Sequence, residues 1–259
     1  MSTSSNSPDE KQTIIPRDAA YWAKQTSFKV TKAPTGALNL NVDGRLAVSP
    51  LQGFGQMWQK TYRIRLEGTN VQPSEVIKVW KENFPKFWPG GNRFYAPLTG
   101  IAPGEVALLN LSMPVGMKLS TGVIVLYADD ESFTLMTPQG HVFAGWITFS
   151  SFKEKEDDCT IAQAQVLIRA NDPAYEIGFR LGGAAKEDRF WQATLTSVAE
   201  YFGVKAPVQT VKVCVDPKLQ WSQAKNIWHN SAIRTTFYTM STPVRWVGQS
   251  FRRKPETNN

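Results

Sequence analysis

The sequence predicts an α+β protein in which a curved antiparallel sheet wraps around one long helix near the C-terminal end. Three observations carry this. Short apolar stretches follow one another between Arg93 and Ala170, separated by turn residues. A single helical pattern then runs from Asp172-Pro173 to Gly203. Ahead of both, one strand pattern and one helix pattern occupy residues 57–84.

Residues 1–13 are polar, Ser-rich and without periodicity, and are expected to be disordered. Residues 14–52 form an arm with scattered Pro and Gly and apolar residues such as Tyr21, Trp22, Phe28 and Leu40. Regularity begins at Met57. Trp58, Tyr62, Ile64 and Leu66 share one face, and Gln59, Thr61, Arg63 and Arg65 the other, which predicts a strand with one wet face. Pro73 opens a helix through Val76, Ile77, Val79 and Trp80, stopped by Pro85 and Pro89-Gly-Gly91. Strands are then expected near 93–97, 105–113, 119–128, 132–136, 142–149 and 158–170. Their connections carry Pro103-Gly104, Pro114-Val-Gly116, Asp129-Asp130, Pro138-Gln-Gly140 and the charged loop 153–158. Links this short favour an antiparallel meander. Asn171-Asp-Pro173 is a helix entry with an Asx cap and Pro at the first helical position. Ile177, Leu181, Ala184, Trp191, Leu195, Val198 and Phe202 follow at three- and four-residue steps, with a bend expected at Gly182-Gly183 and a stop at Gly203.

This order describes a helix-grip architecture. Its words Pro50-Leu-Gln-Gly-Phe-Gly-Gln, Asn92-Arg-Phe-Tyr-Ala-Pro97, Thr137-Pro-Gln-Gly-His-Val-Phe-Ala-Gly-Trp-Ile-Thr-Phe-Ser150 and Glu187-Asp-Arg-Phe-Trp191 resemble bacterial proteins of unknown function in the SRPBCC superfamily. That superfamily includes START lipid-transfer domains, polyketide cyclases and birch-pollen-type allergens. The resemblance spans roughly residues 53–204. It implies a hydrophobic cavity between sheet and helix, and no particular reaction, because members both bind and catalyse. The expected organisation is a disordered N-terminus and packing arm (1–52), a helix-grip domain (53–204) and a basic, aromatic C-terminal extension (205–259).

Several strands are apolar on both faces. Val142, Ala144 and Trp146 alternate with Phe143, Ile147 and Phe149, and Leu119, Val123, Val125 and Tyr127 oppose Ile124 and Leu126. Such strands need cover on both sides. The long helix covers only the concave one, so the arm, the extension or a second subunit in a homodimer is expected on the outer face.

Charge is uneven. The chain carries a net +7 over 259 residues, and residues 204–259 hold nine Lys/Arg against Asp216 and Glu256, so the excess belongs to the extension. There a strand is expected at 208–215, then a helix from Pro217 with Trp221, Ala224, Trp228 and Ala232 on one face, followed by Phe237, Tyr238, Trp246 and Phe251 among basic residues. This pattern fits aromatics packed on the sheet or an amphipathic surface on an anionic membrane, over 217–254. No nucleic-acid-binding module is recognisable. The two cysteines, Cys159 and Cys214, match no redox or metal spacing, and the two histidines are 88 residues apart, so neither metal nor cofactor is expected. The polar N-terminus and the absence of a long apolar run point to a cytoplasmic protein.

Among candidate site residues, His141 follows a Gly turn at a strand start. It reads either as a polar anchor or acid/base at the cavity mouth, or as a turn histidine bonded to nearby backbone. Asp188 falls on the apolar stripe between Ala184 and Trp191. Facing the sheet it needs a partner such as Arg169, His141 or a ligand; if the bend re-phases the stripe, it faces water. Gln163 in the last strand of the meander lines a polar corner or faces solvent, and Tyr95, Tyr127, Trp146 and Trp191 are aromatic lining candidates or plain core. The expected function is binding of a hydrophobic or aromatic small molecule, lipid-like or polyketide-like, between sheet and helix. The alternatives are a cofactor-independent cyclase or aromatase using Asp188 or His141 as acid/base, and a lipid-handling protein that visits membranes.

Overall fold

The computed structural model describes residues 19–113 and 118–252, with side chains as far as residue 241. The expectations for residues 1–13, for the 114–116 turn and for the side chains of Trp246 and Phe251 lie outside the described residues.

Eight strands form one antiparallel sheet: β1 (Met57–Arg65), β2 (Arg93–Tyr95), β3 (Val106–Ser112), β4 (Lys118–Ala128), β5 (Ser132–Met136), β6 (Phe143–Lys153), β7 (Thr160–Ala170) and β8 (Gln209–Asp216). Their spatial order is β2-β3-β4-β5-β6-β7-β1-β8. The meander from β2 to β7 follows from the short turns. β1 closes onto β7, with Tyr62 opposite Ala164, and β8 adds to the free edge of β1, with Tyr62 opposite Thr210. Helix α1 (Pro73–Asn83) and a 3-10 turn at Phe84–Phe87 connect β1 to β2. After β7 come α2 (Pro173–Gly178), a π-helical segment (Phe179–Gly183) and α3 (Ala184–Tyr201), then β8, a 3-10 helix (Trp221–His229) and α4 (Ser231–Arg252). Strand order, the helices inserted after β1 and the helix held against the sheet make this an α+β helix-grip fold.

The concave face holds the main core. Ala107, Leu109, Val123, Val125, Phe133, Leu135, Phe149 and the even-numbered residues of β7 from Ala162 to Ile168 meet Val76, Ile77 and Trp80 of α1 and Leu195, Val198 and Ala199 of α3. Aromatic rings fix its centre: Phe133 stacks on Phe149 at 4.7 Å between centroids, and Trp80 and Phe84 meet both edge-on. Truncating a ring so enclosed costs about 3–5 kcal/mol.

The outer face is also covered. Phe28 and Val42 of the arm are buried against Leu108 and Ile124, with Val30, Ala37, Ala47 and Met136 around them. Asn41, fully buried, ties three elements: its amide donates to the Ser120 carbonyl (2.9 Å) and Thr235 Oγ1 (3.0 Å), and Oδ1 accepts from Arg234 Nε (3.1 Å). Arg169 is buried here too, and its guanidinium pairs with Asp216 and donates to the carbonyls of Gly55 and Lys218. It therefore serves as the bolt of the extension and is not the partner of Asp188.

Two helical expectations change. The expected bend is present, with Leu181 (ψ 25°) and Gly182 (φ 113°) leaving helical geometry, but the stripe does not run through it: Ile177 and Leu181, its first expected steps, are 60% and 82% exposed. The bend rotates α2 out of phase with α3. The helix expected from Pro217 is instead a 3-10 helix that breaks at Asn230, whose side chain accepts from Ile233 N (3.0 Å) and starts α4. With three residues per turn, Trp221 and Trp228 do not share a buried face, and both are exposed.

Candidate functional site

Because α2 and α3 meet at an angle, they do not close fully on the sheet. A cavity of about 660 Å³ remains between the kink and the concave face. Its apolar wall comes from Leu109, Val123, Leu135, Ile147, Val166 and Ile168 of the sheet, with Trp88, Phe179, Phe190 and Trp191 from the helical side. Leu181 at the kink and Ile233 of α4 border it and are exposed, which places the mouth there. Size and lining suit a drug-sized apolar molecule.

The polar groups on the wall are few. His141 sits in the link between β5 and β6 (residues 137–142), buried to 8% exposure. Its Nδ1 accepts from Phe143 N at 3.1 Å. Burial depresses the imidazole pKa to about 4 against a weaker opposing effect of the Phe143 backbone, so the ring is neutral at ordinary pH. His141 lines the cavity, and its ring is bonded to nearby backbone.

Glu187, at the first turn of α3, is also on the wall. Burial raises its carboxyl pKa, and Lys60 opposes the shift. Lys60 belongs to the apolar face of β1, with its ammonium buried against Glu187, 2.8 Å from Asp188 Oδ1 and 5.0 Å from the Phe179 ring centroid. Tyr62 donates to Asp188 Oδ1 (2.7 Å), and Lys212 of β8 reaches Asp188 Oδ2 (2.5 Å). Burial would raise the Asp188 carboxyl, but the hydrogen bonds from Lys212, Lys60 and Tyr62 outweigh it and hold the pKa below the usual range. Asp188 thus faces the sheet, and its protein partners are two lysines and a tyrosine, not Arg169 or His141. The pairs join α3 to β1 and β8 directly behind the cavity wall.

The structure brings His141, Trp146 and Trp191 to the cavity. Trp146 borders it from β6, although its cross-strand neighbours are Met136 and Leu167 on the outer face. Asp188 stands behind the wall. Tyr95, Tyr127 and Gln163 lie elsewhere: Tyr95 donates to the Gly36 carbonyl (2.9 Å), Tyr127 packs on Tyr21 and Trp22 of the arm, and Gln163 accepts from Arg63 Nε (2.6 Å). Two members were missed from sequence, Lys60 and Glu187. Lys60 had a signal, since it shares the strand parity of Trp58, Tyr62 and Ile64. Glu187 had none, because its position depends on the angle at the kink.

Among the described residues no helix is long and apolar enough to cross a membrane. No family model matches the chain, and no curated protein matches it. Solved structures that are similar include protein Ms6760 from Mycobacterium smegmatis, at 10% identity and TM-score 0.41 over 56% of this chain and 90% of that one. The di-domain ARO/CYC StfQ of the steffimycin biosynthetic pathway matches at 10% identity and TM-score 0.42 over 57% of this chain and 53% of its own. Ara h 8.0201 matches at 11% identity and TM-score 0.37 over 56% of this chain and 97% of its own.

Proposed function

We propose that the protein binds a hydrophobic or aromatic small molecule in the cavity between the concave face and the α2–α3 bend. The observation that carries this is the cavity itself: about 660 Å³, walled by aliphatic and aromatic side chains, and open at Leu181 and Ile233. Apolar burial drives binding at roughly 25 cal/mol per Å² before the costs of association. Mass spectrometry of a solvent extract of the purified protein tests it directly, with an apolar molecule in stoichiometric amount as the expected result. Replacing Ile147 by Trp fills the cavity and is expected to abolish that co-purification. A ligand retained equally by Ile147→Trp, or no binding of any apolar probe, sinks the proposal.

A second reading, a cofactor-independent cyclase-type enzyme, is favoured by Glu187, a carboxyl whose pKa is raised at the cavity wall. Asp188 and His141 suit an acid/base role less well, one being held ionised by three donors and the other neutral down to about pH 4. If catalysis occurs, the extracted compound is converted by the native protein and returned unchanged by Glu187→Gln. Equal conversion by both removes Glu187 from the chemistry.

A further inference from the structure

We infer that the cavity's ligand carries a hydrogen-bond-accepting oxygen, a carbonyl or its equivalent, and that His141 Nε2–H binds it. The inference rests on the cavity being a binding site and adds the ligand's polar chemistry.

The residue is more than nine-tenths buried and lines the cavity. Only its Nδ1 is used by the protein, and among the described residues Nε2 has no partner. Which nitrogen carries the proton follows from Phe143. Asn171 N donates to the Val142 carbonyl (3.0 Å), so the facing pair Phe143 and Ala170 is a non-hydrogen-bonded pair of the β6–β7 ladder. The N–H and C=O of Phe143 therefore turn away from β7 and towards the imidazole, at 3.1 Å and 3.2 Å from Nδ1. Nδ1 can serve one of them. A buried N–H without an acceptor is rarer than an under-used carbonyl, so Nδ1 accepts from the N–H and the proton sits on Nε2. A neutral ring with Nε2–H is a donor and nothing else on its cavity side.

A site built to bond an oxygen discriminates against the analogue that lacks it, because its own donor is then left unpaired.

A matched pair of probes tests this: 2-acetylnaphthalene, which has the carbonyl, and 2-ethylnaphthalene, which does not. Both are titrated by tryptophan fluorescence into the native protein and into His141→Phe. The expected result is a loss of about tenfold in affinity for the ketone alone, the effect of one neutral hydrogen bond, with the hydrocarbon unchanged. Equal change for both probes, or none, overturns the role of His141 while leaving the cavity in place. Failure of both probes to bind the native protein overturns the binding site itself. If His141→Phe does not fold, nitrogen NMR of the native protein decides. The Nε2–H tautomer, with its proton signal moving downfield on adding the ketone and not the hydrocarbon, supports the inference. The Nδ1–H tautomer, or no movement, overturns it.

Discussion

At the scale of single residues, Gly140 and His141 show how one turn serves two purposes. Gly140 has φ 84°, a region that costs other residues about 1–2 kcal/mol. A Cβ there would also overlap the His229 carbonyl, where the C-terminal extension docks, and the Gly140 carbonyl accepts from Ser231 N (2.9 Å). Gly140→Ala is therefore expected to destabilise the protein by at least about 2 kcal/mol, read by chemical denaturation, because strain and overpacking add. A loss within about 0.5 kcal/mol, the range of ordinary surface changes, would mean that the extension shifts freely. For His141 the sign is fixed by its depressed pKa. Above pH 6.5 the ring is neutral in folded and unfolded chains, so its contribution is complete. As pH falls below 6.5 the unfolded chain takes up a proton that the folded chain refuses until about pH 4. Stability is expected to fall by up to about 3 kcal/mol across that window. Carboxylates titrate there too, so the measured quantity is the native protein minus His141→Phe. Parallel pH curves for the two would contradict the depressed pKa.

At the scale of elements, the kink at Leu181-Gly182 decides whether there is a cavity. Gly182 adopts φ 113°, and nothing lies near its missing Cβ, so the glycine is required by backbone conformation rather than by space. Gly182→Ala is expected to cost about 1–2 kcal/mol if the kink is kept. If the helix instead straightens, stability is spared and apolar probes bind more weakly, because Ile177 and Leu181 rotate towards the sheet. Paired melting and probe titrations distinguish the two, and a variant unchanged in both would show that the kink is not set by Gly182. The joint between α3, β1 and β8 is the other element-scale device. One tyrosine and two lysines hold the Glu187–Asp188 turn, so the far wall of the cavity is fixed while the kink side stays near solvent.

At the scale of the whole molecule, the extension is part of the fold. It supplies β8 at the sheet edge, Asp216 opposite buried Arg169, Lys212 opposite Asp188, and α4 against the outer face through Thr235. Removing residues 205–259 strands a buried guanidinium, a loss on the order of 3–5 kcal/mol before the uncovered apolar area is counted. The truncated chain is expected to be insoluble or to melt well below the native protein, and unchanged melting would refute this integration. The same segment exposes Trp228, Phe237 and Met240 beside Lys225 and Arg234. If it meets an anionic membrane, the full chain sediments with anionic vesicles and not with neutral ones, and salt weakens the association. Replacing Trp228 and Phe237 by Ser would then reduce it, and absence of sedimentation at low salt would remove that role.

Taken alone, the sequence determined the order of the elements, the meander, the bend at Gly182-Gly183 and the need for cover on both sheet faces. These are local or periodic properties: turn residues, two-residue alternation and glycine pairs act within a few positions. Only the tertiary structure decided which polar residues meet. Tyr95, Tyr127 and Gln163 have the chemistry of a lining but fall on the outer face or its rim, while Lys60 and Glu187, 127 positions apart, meet behind the cavity wall. Alternation assigns residues to one face or the other without saying which face is concave. The angle at a kink, which sets what α3 presents, depends on packing between segments far apart in the chain. His141 stands between these cases. Its place after a glycine turn was legible, but its neutrality and its unused Nε2 come from burial and from the pairing of Phe143 with Ala170, which only the assembled sheet imposes.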